Sequence, residues 1–385
     1  MSAESSTVAT VLRSLLDCPA PASRGELAAR CALSRPTAFA AVDRLMSLGL
    51  VAQAGQRAGG PGRTATLYDL DPRVGLIAGV DIGGSNTRAA VCDVRGRVLA
   101  ETRVTTDANG GGAVARQSAR LVAGLLAKVE PDAPLLVTGV SVPGVVDPRN
   151  GTVSLAPNIG QREPYDLLTL LTERLGTTVL IDNNVNLAAL GEQRQGAARE
   201  LETFVVVSVG AGVGAGIVHR GTLLRGARGA AGEITLAPLR TPPHVPDSDV
   251  DDAGALALLR AAADRDDWKV RAPGTVLELF ELAAAGEPPA VELVEGECQR
   301  VGEIIATLCA VVDPEAILLA GGLGGNRLLL EGAVRVARRF VSDLPPVLPS
   351  KLGERASLVG AIGMASEHAT AQLAERAASV PIGSP

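Results

Sequence analysis

The sequence predicts an α/β protein that opens with a winged helix-turn-helix. Three observations predict it. Before residue 72, three helical patterns with cap signals lead into a Gly/Arg-rich hairpin. After Asp71-Pro72, short buried apolar strands alternate with helical stretches. The first of those strands, Leu76 to Val80, runs straight into the glycine turn Asp81-Ile82-Gly83-Gly84-Ser85-Asn86-Thr87.

The N-terminal elements follow from local chemistry. Val8, Val11, Leu12, Leu15 and Leu16 form one apolar helical stripe. Ser23 and Glu26 make a capping box that opens a short helix ending near Cys31. Ser34 is a second N-cap, and the helix Arg35 to Leu48 buries Ala38, Val42 and Leu45 before Gly49 ends it. Leu50 to Ala52 and Thr66 to Tyr68 flank the tip Gly55 to Thr64, a candidate wing.

Beyond residue 72, strands are predicted at 88–94, 97–105, 135–142, 178–182, 204–209, 214–219 and 316–320. Helices are predicted at about 113–129 and 293–312, and residues 237–253 read as an irregular Pro/Asp-rich loop. The boundaries suggest a DNA-binding domain at 1–72 and a larger domain at 73–385.

Composition narrows the function classes. At 385 residues the chain has length for two or three domains, with 46% hydrophobic and 20% charged residues. One Trp, two Tyr and four Phe leave no stacking platform for single-stranded nucleic acid or long sugar chains. Five cysteines without a CxxC indicate neither a disulfide framework nor a zinc ribbon. The start, MSAESSTVAT, has no basic segment leading into an apolar run, and no 18-residue apolar stretch occurs. A reduced, cytoplasmic protein without a membrane partner is expected. The net charge of −6 is uneven: residues 1–75 hold eight Arg against six acids, or +2, which leaves −8 for the rest. A small positive module on an acidic protein suits DNA.

A helix-turn-helix reads the major groove with the exposed face of its second helix. Thr37, Ala41 and Arg44 fall at i, i+4 and i+7, with Ser34 and Arg35 at the helix start. Arg35, Thr37 and Arg44 are expected to read bases. Arg57 and Arg63, on the glycine-rich tip, are expected to hold the wing on the duplex.

The glycine turn at Asp81 has companions in order. They are Val142-Pro143-Gly144-Val145-Val146-Asp147, Ala156-Pro157-Asn158, and Asp182-Asn183-Asn184-Val185-Asn186 running on to Gly191-Glu192. Then come Gly210-Ala211-Gly212-Val213-Gly214, Gly226-Ala227-Arg228-Gly229-Ala230-Ala231-Gly232-Glu233, and Leu319-Ala320-Gly321-Gly322-Leu323-Gly324. This series resembles the ROK family of repressors, open reading frames and sugar kinases, over about residues 5–370. The resemblance implies two actin/hexokinase-like (ribonuclease H-like) lobes with a sugar cleft between them. Gly84, Asn158, Asn183, Asn184 and Glu233 would line the sugar site, where amides and carboxylates suit vicinal hydroxyls. Asp81, Gly83, Ser85, Gly210, Gly212 and Gly322 would be a vestige of the nucleotide site.

Three departures set the expected function. Asn184 stands where the kinases carry their catalytic Asp, and an amide cannot accept the sugar hydroxyl's proton. Ala211 replaces the usual Thr of the phosphate loop, which argues against ATP binding. Leu236 stands in place of the family's His, and no Cys follows in 237–253, so no structural zinc is expected and no metal. His219, His244 and His368 read as structural or solvated residues.

The resulting expectation is a DNA-binding regulator of carbohydrate-metabolism genes, a repressor without catalytic residues or kinase activity. Its partners would be operator DNA and a small carbohydrate effector, and it would work as a homodimer or homotetramer. Two alternatives stay open: an active sugar kinase carrying a DNA-binding domain, and a DNA-binding protein that needs no ligand.

Overall fold

The computed structural model of the chain describes residues 3–58, 64–129, 133–154, 159–160, 163–237, 253–269 and 271–379. Arg63, Asn158, His244 and most of the segment 237–253 lie outside the described residues.

The N-terminal region forms where its caps predict. α1 (Ala3–Leu16) precedes a two-residue strand, β1 (Ala22–Ser23). Ser23 caps α2 (Arg24–Arg30): its hydroxyl accepts the Glu26 amide at 3.3 Å, while Glu26 Oε2 accepts the Ser23 amide at 2.8 Å. Ser34 caps α3 (Arg35–Ser47), and Gly49 takes φ +67° just past its end. β2 (Val51–Ala58) and β3 (Thr64–Leu70) form the hairpin, with β1 added beside β3.

Two five-stranded sheets follow. The first lobe contains β4 (Leu76–Ile82), β5 (Asn86–Asp93), β6 (Val98–Thr105), α4 (Gly111–Leu126), β7 (Leu135–Val142) and a small ribbon of β8 (Val145–Val146) and β9 (Val153–Ser154). α5 (Leu167–Leu175), β10 (Thr178–Asn183) and α6 (Asn184–Gln195) complete that stretch. The second lobe contains β11 (Phe204–Val209), β12 (Val213–His219), β13 (Thr222–Leu223), α7 (Ala255–Ala263), α8 (Val276–Ala284) and α9 (Pro288–Val312). β14 (Ala316–Ala320), α10 (Gly321–Gly324), α11 (Arg327–Ala337), β15 (Val347–Pro349) and α12 (Ala356–Ser379) end it.

The two sheets share one topology. Their orders are β6-β5-β4-β7-β10 and β13-β12-β11-β14-β15. In each, an antiparallel meander supplies three strands and two parallel strands extend it on the far side. Every residue of β4 is buried, because helices cover both faces of its sheet.

The helices that link the lobes cross over. α6 follows the first sheet but packs on the second, in a cluster with Phe204, Val206, Val218 and Leu318. α12 follows the second sheet but packs on the first, where Leu358, Ile362 and Ala365 meet Ile77, Cys92 and Val137. The crossing helices meet backbone to backbone. A Cβ on Gly360 would lie 2.6 Å from the Leu187 carbonyl carbon, and one on Gly191 would strike the Ala356 carbonyl. Gly79 and Gly139 give α12 the same clearance on the sheet, under Ile362 and Ala361.

The far end of α12 completes the core of the winged helix. Leu373 and Ala377 are buried with Val8, Leu12, Leu15 and Leu45, and Val74 and Val94 join them. Arg95, in the β5–β6 turn, donates to the Leu15 and Leu16 carbonyls at the end of α1 and pairs with Asp69. The N-terminal module is thus fastened to the first lobe and to α12.

Candidate functional site

The surface expected to face DNA is built by α3. Its inward stripe is Ala38, Ala41, Val42 and Leu45. Ala41 was expected on the outward face with Thr37 and Arg44. It is instead 3% exposed, within the module's core. The reason is angular: Ala41 lies three residues after Ala38 and three or four before Arg44 and Leu45, inside the buried arc. The outward face comprises Arg35, Pro36, Thr37, Phe39, Ala40, Asp43 and Ser47, while Arg44 is half-buried.

Cap chemistry continues into this surface. Ser34 Oγ and Thr37 Oγ1 share a hydrogen bond of 2.7 Å, so Thr37 is oriented by the residue that starts its helix. Arg57, expected to be free on the wing, donates to Glu26 at 2.5 Å. The Ser23 amide, the Ser23 hydroxyl and Arg57 together hold the Glu26 carboxyl down at about 2. A phosphate contact from Arg57 must therefore compete with Glu26. Arg35 is exposed and makes no ion pair among the described residues.

Most of the described residues expected at the sugar and nucleotide sites lie at the carboxyl ends of the parallel strands, where open α/β sheets bind ligands, while Glu233 lies in the loop after β13. β10 ends at Asp182-Asn183, β7 at Ser141-Val142, and β4 at Asp81-Ile82. In the second lobe β11 ends before Gly210 and β14 before Gly321. A Cβ on Gly321 (φ +79°) would sit 2.5 Å from the Val209 carbonyl oxygen, so these two glycine segments touch. Gly210 and Gly322 both face open space.

Strand register then places five polar side chains in one row across the first sheet. Asp182 pairs with Ser141, Ser141 with Asp81, Asp81 with Arg88, and Arg88 with Arg103. Directly paired residues share a face. Ser141 Oγ donates to Asp81 Oδ1 at 2.7 Å, and Arg88 Nη1 stands 3.8 Å from Asp81 Oδ2. Arg88 and Arg103 both turn to Glu354, in the 3-10 turn that precedes α12. The row therefore meets the N-terminus of α12.

At the other end of the row, Asp182 is buried with three partners. It accepts from Arg225 Nε at 2.7 Å, from Asn186 Nδ2 at 2.9 Å and from the Asn183 amide at 2.8 Å. Asn183 is the N-cap of α6: its Oδ1 accepts from the amides of Val185 and Asn186, and its Nδ2 donates to the Gly144 carbonyl. The amide group assigned to sugar binding is thus largely used in holding the helix start. Asn184, the next residue, is half-exposed and makes no hydrogen bond through its side chain among the described residues. Arg225 opens a loop whose Gly229 lies against the Val146 carbonyl and whose Gly232 lies against Ala215 on β12. That loop bridges the lobes and carries Glu233. Sequence reasoning missed Arg225, Ser141 and Arg88. A lone serine between Val140 and Val142 was the available signal for Ser141.

The loop 210–212 is occupied by its own fold. The Ala255 and Leu256 amides, at the start of α7, donate to the Gly210 and Ala211 carbonyls, and the Gly254 amide donates to Glu297. Those helix amides are thereby satisfied internally. The turn at Gly83 and Gly84 is closed by the Gly83 amide on the Asn86 carbonyl, with Ser85 exposed at its tip.

Residues 77–247 and 255–368 match the ROK family. The chain belongs to the ROK family. Its residues 8–55 match the IclR helix-turn-helix domain, so a DNA-binding module precedes the ROK lobes. The xylose repressor of Caldicellulosiruptor bescii is 26% identical over 383 residues, covering 92% of this chain and 94% of that protein. A ROK glucokinase from Streptomyces griseus, solved with glucose and AMPPNP, is 29% identical with TM-score 0.63, over 76% of this chain and all of the other. A ROK transcriptional regulator described as a homologue of the Escherichia coli MLC protein has TM-score 0.72 over 96% of this chain and 98% of its own, at 18% identity. Among the described residues no helix is long and apolar enough to cross a membrane.

One property of this ROK site is directly measurable. Burial pushes the Asp81 carboxyl up to about 6, against the pull of Ser141 and Arg88. A raised carboxyl binds its proton more tightly in the folded state, so its ionisation costs stability as pH rises from about 4 through 6. Asp81→Asn removes that titration, so its stability relative to the parent is expected to improve by roughly 2–3 kcal/mol between pH 4 and pH 7.5. Thermal melts of both proteins across that range check it. A difference independent of pH would contradict it.

Proposed function

We propose that this ROK protein is a sugar-responsive transcription regulator, a repressor of carbohydrate-metabolism genes that acts as a homodimer or homotetramer in the cytoplasm. Residues 1–72 are its DNA-binding domain and residues 73–385 its sensing domain. Arg35, Thr37 and Arg44 hold the operator through α3, joined by Arg57 on the hairpin and by Arg63. Gly84, Asn158, Asn183, Asn184 and Glu233 make the sugar site. Ligand binding must favour one lobe arrangement over another to alter DNA affinity.

The observation that carries this reading is the shared core. α12 starts just after Glu354, which sits beside the polar row, crosses α6 at Gly360, and ends among the buried residues of the winged helix. A change at the sugar site therefore has a rigid route to the DNA-facing surface. The name of the C. bescii relative supports a sugar as the ligand.

Kinase activity is excluded by this reading. Asn184 offers no base for the sugar hydroxyl. The guanidinium of Arg88 stands beside Asp81, which suits a magnesium-bound nucleotide poorly.

The test is binding to the DNA upstream of the protein's own gene, at fixed salt, with and without a panel of sugars and sugar phosphates. Specific binding that one sugar changes is the expected result. Specific binding that no sugar changes would favour a regulator that needs no ligand. Sustained ATP consumption with hexoses or amino sugars would favour the kinase reading, which the similarity to the S. griseus glucokinase keeps testable.

A further inference from the structure

The outward face of α3 has an unusual chemistry for a helix that meets DNA. Between its first turn and its end it shows Phe39, Ala40, Asp43 and Ser47, with no Arg, Lys, Asn or Gln among them. Bidentate reading of guanine by Arg, or of adenine by Asn or Gln, is therefore not available from the fully exposed middle of this face, beside which Arg44 is half-buried. What it offers is an apolar surface, with Phe39 37% exposed, and a carboxylate one turn further on.

We propose that α3 reads adjacent thymine and cytosine in the major groove, with Phe39 and Ala40 against the thymine methyl and Asp43 accepting from the cytosine amino group. This rests on the DNA-binding reading above and names the base chemistry of that same surface.

Asp43 is built for the task by Arg24. A bare carboxylate near phosphates would be repelled. Arg24, the first residue of α2, forms an ion pair with Asp43 and donates from Nε to the Tyr68 hydroxyl at 3.0 Å. Its guanidinium also lies over two rings, 5.5 Å from the centre of Phe39 and 5.0 Å from that of Tyr68. One side chain thereby locks α3, α2 and β3 together and neutralises Asp43. The Asp43 side chain is still 61% exposed, so its carboxylate can accept from a base.

An acceptor in the major groove can meet the amino group of cytosine or of adenine. Adenine sets its N7 acceptor beside that amino group, where it repels the second carboxylate oxygen. Cytosine presents only a C–H there. That difference selects cytosine, and the thymine methyl is the apolar feature that matches Phe39 and Ala40.

The experiment is selection of random DNA duplexes by the full-length protein, followed by affinity measurement on the selected site. Sites carrying a T and a C side by side on one strand of each half-site are expected. Asp43→Asn should move the C preference to A by about tenfold, since an amide pairs with adenine N6 and N7. Replacing that T by deoxyuridine should weaken wild-type binding about fourfold, the worth of one buried methyl, and weaken Phe39→Ala less, since only Ala40 then meets the methyl. Arg24→Gln should blur both positions while the bases read from Arg35 keep their preference. A uniform loss across all positions would mean that Arg24 is only structural. Both Phe39 and Asp43 are exposed, so their variants keep the module's core. Selected sites without the T–C pair, or an Asp43→Asn protein that selects the same bases, would overturn the proposal while leaving DNA binding intact. Failure of the wild-type protein to enrich any sequence would overturn it together with the regulator reading.

Discussion

Leu373→Asp is expected to leave a protein that still binds DNA and still binds its ligand, but in which neither event affects the other. Leu373 is 3% exposed, at the point where α12 enters the core of the winged helix. Removing it forfeits about 2–3 kcal/mol of apolar burial. A carboxylate would then have to be buried unpaired, which costs several kcal/mol more, so the seam should open rather than accept it. The module keeps a core of its own, because Leu12, Leu15, Leu27, Val42, Leu45 and Leu50 are all fully buried. The check has two parts. Calorimetry should resolve two unfolding transitions for the variant and one for the parent. DNA affinity should become indifferent to any sugar that changes it in the parent. Full sugar control in Leu373→Asp would mean that the signal travels by another route.

The second large effect is expected from a single methyl group. Helix propensity alone would favour Gly360→Ala by about 1 kcal/mol. The structure reverses that sign. The new Cβ would collide with the Leu187 carbonyl on α6, and neither backbone can retreat. Gly191 already presses on the Ala356 carbonyl from the other side. Overpacking of this kind costs about 1–3 kcal/mol and sometimes more, so a net loss of at least ~2 kcal/mol is expected in urea unfolding. Gly322→Ala is the control. A Cβ there meets nothing, and a change under ~1 kcal/mol is expected. Equal stability of the Gly360→Ala and parent proteins would show that the two helices can separate freely.

These two sites mark the limit of what was legible in the chain. The capping box at Ser23 and Glu26, the Ser34 cap and the Gly49 stop formed as expected, because each needs partners only three or four residues away. Eight of the ten strands in the two sheets also formed where they were predicted, while the short β13 and β15 were not anticipated. The inner stripe of α3 was legible in Ala38, Val42 and Leu45. Ala41 was misplaced because a small apolar residue fits either the core edge or a DNA-facing surface, and its neighbours decide which.

α12 was not anticipated at all. Its small residues, Gly360, Ala361, Gly363 and Ala365, carry a weak helical pattern when read alone. Gly360 makes sense only against the Leu187 carbonyl of α6, and the Ala361 carbonyl lies against Gly139 of β7, so the backbones approach too closely for larger side chains.

The sequence by itself determined the caps of the first module, most strands of the two sheets, the helix-turn-helix of the first segment and membership of the ROK family. Each of these depends on residue identity or on contacts within a few positions. Only the tertiary structure decided that Asp182, Ser141, Asp81, Arg88 and Arg103 stand in one row, since strand register alone puts residues 40 to 60 apart side by side. It also decided that Glu26 holds Arg57, that Asp182 holds Arg225, and that the last helix finishes the core of the first domain. The course of that last helix follows from its crossing with α6, and that crossing is set by how closely two backbones can approach.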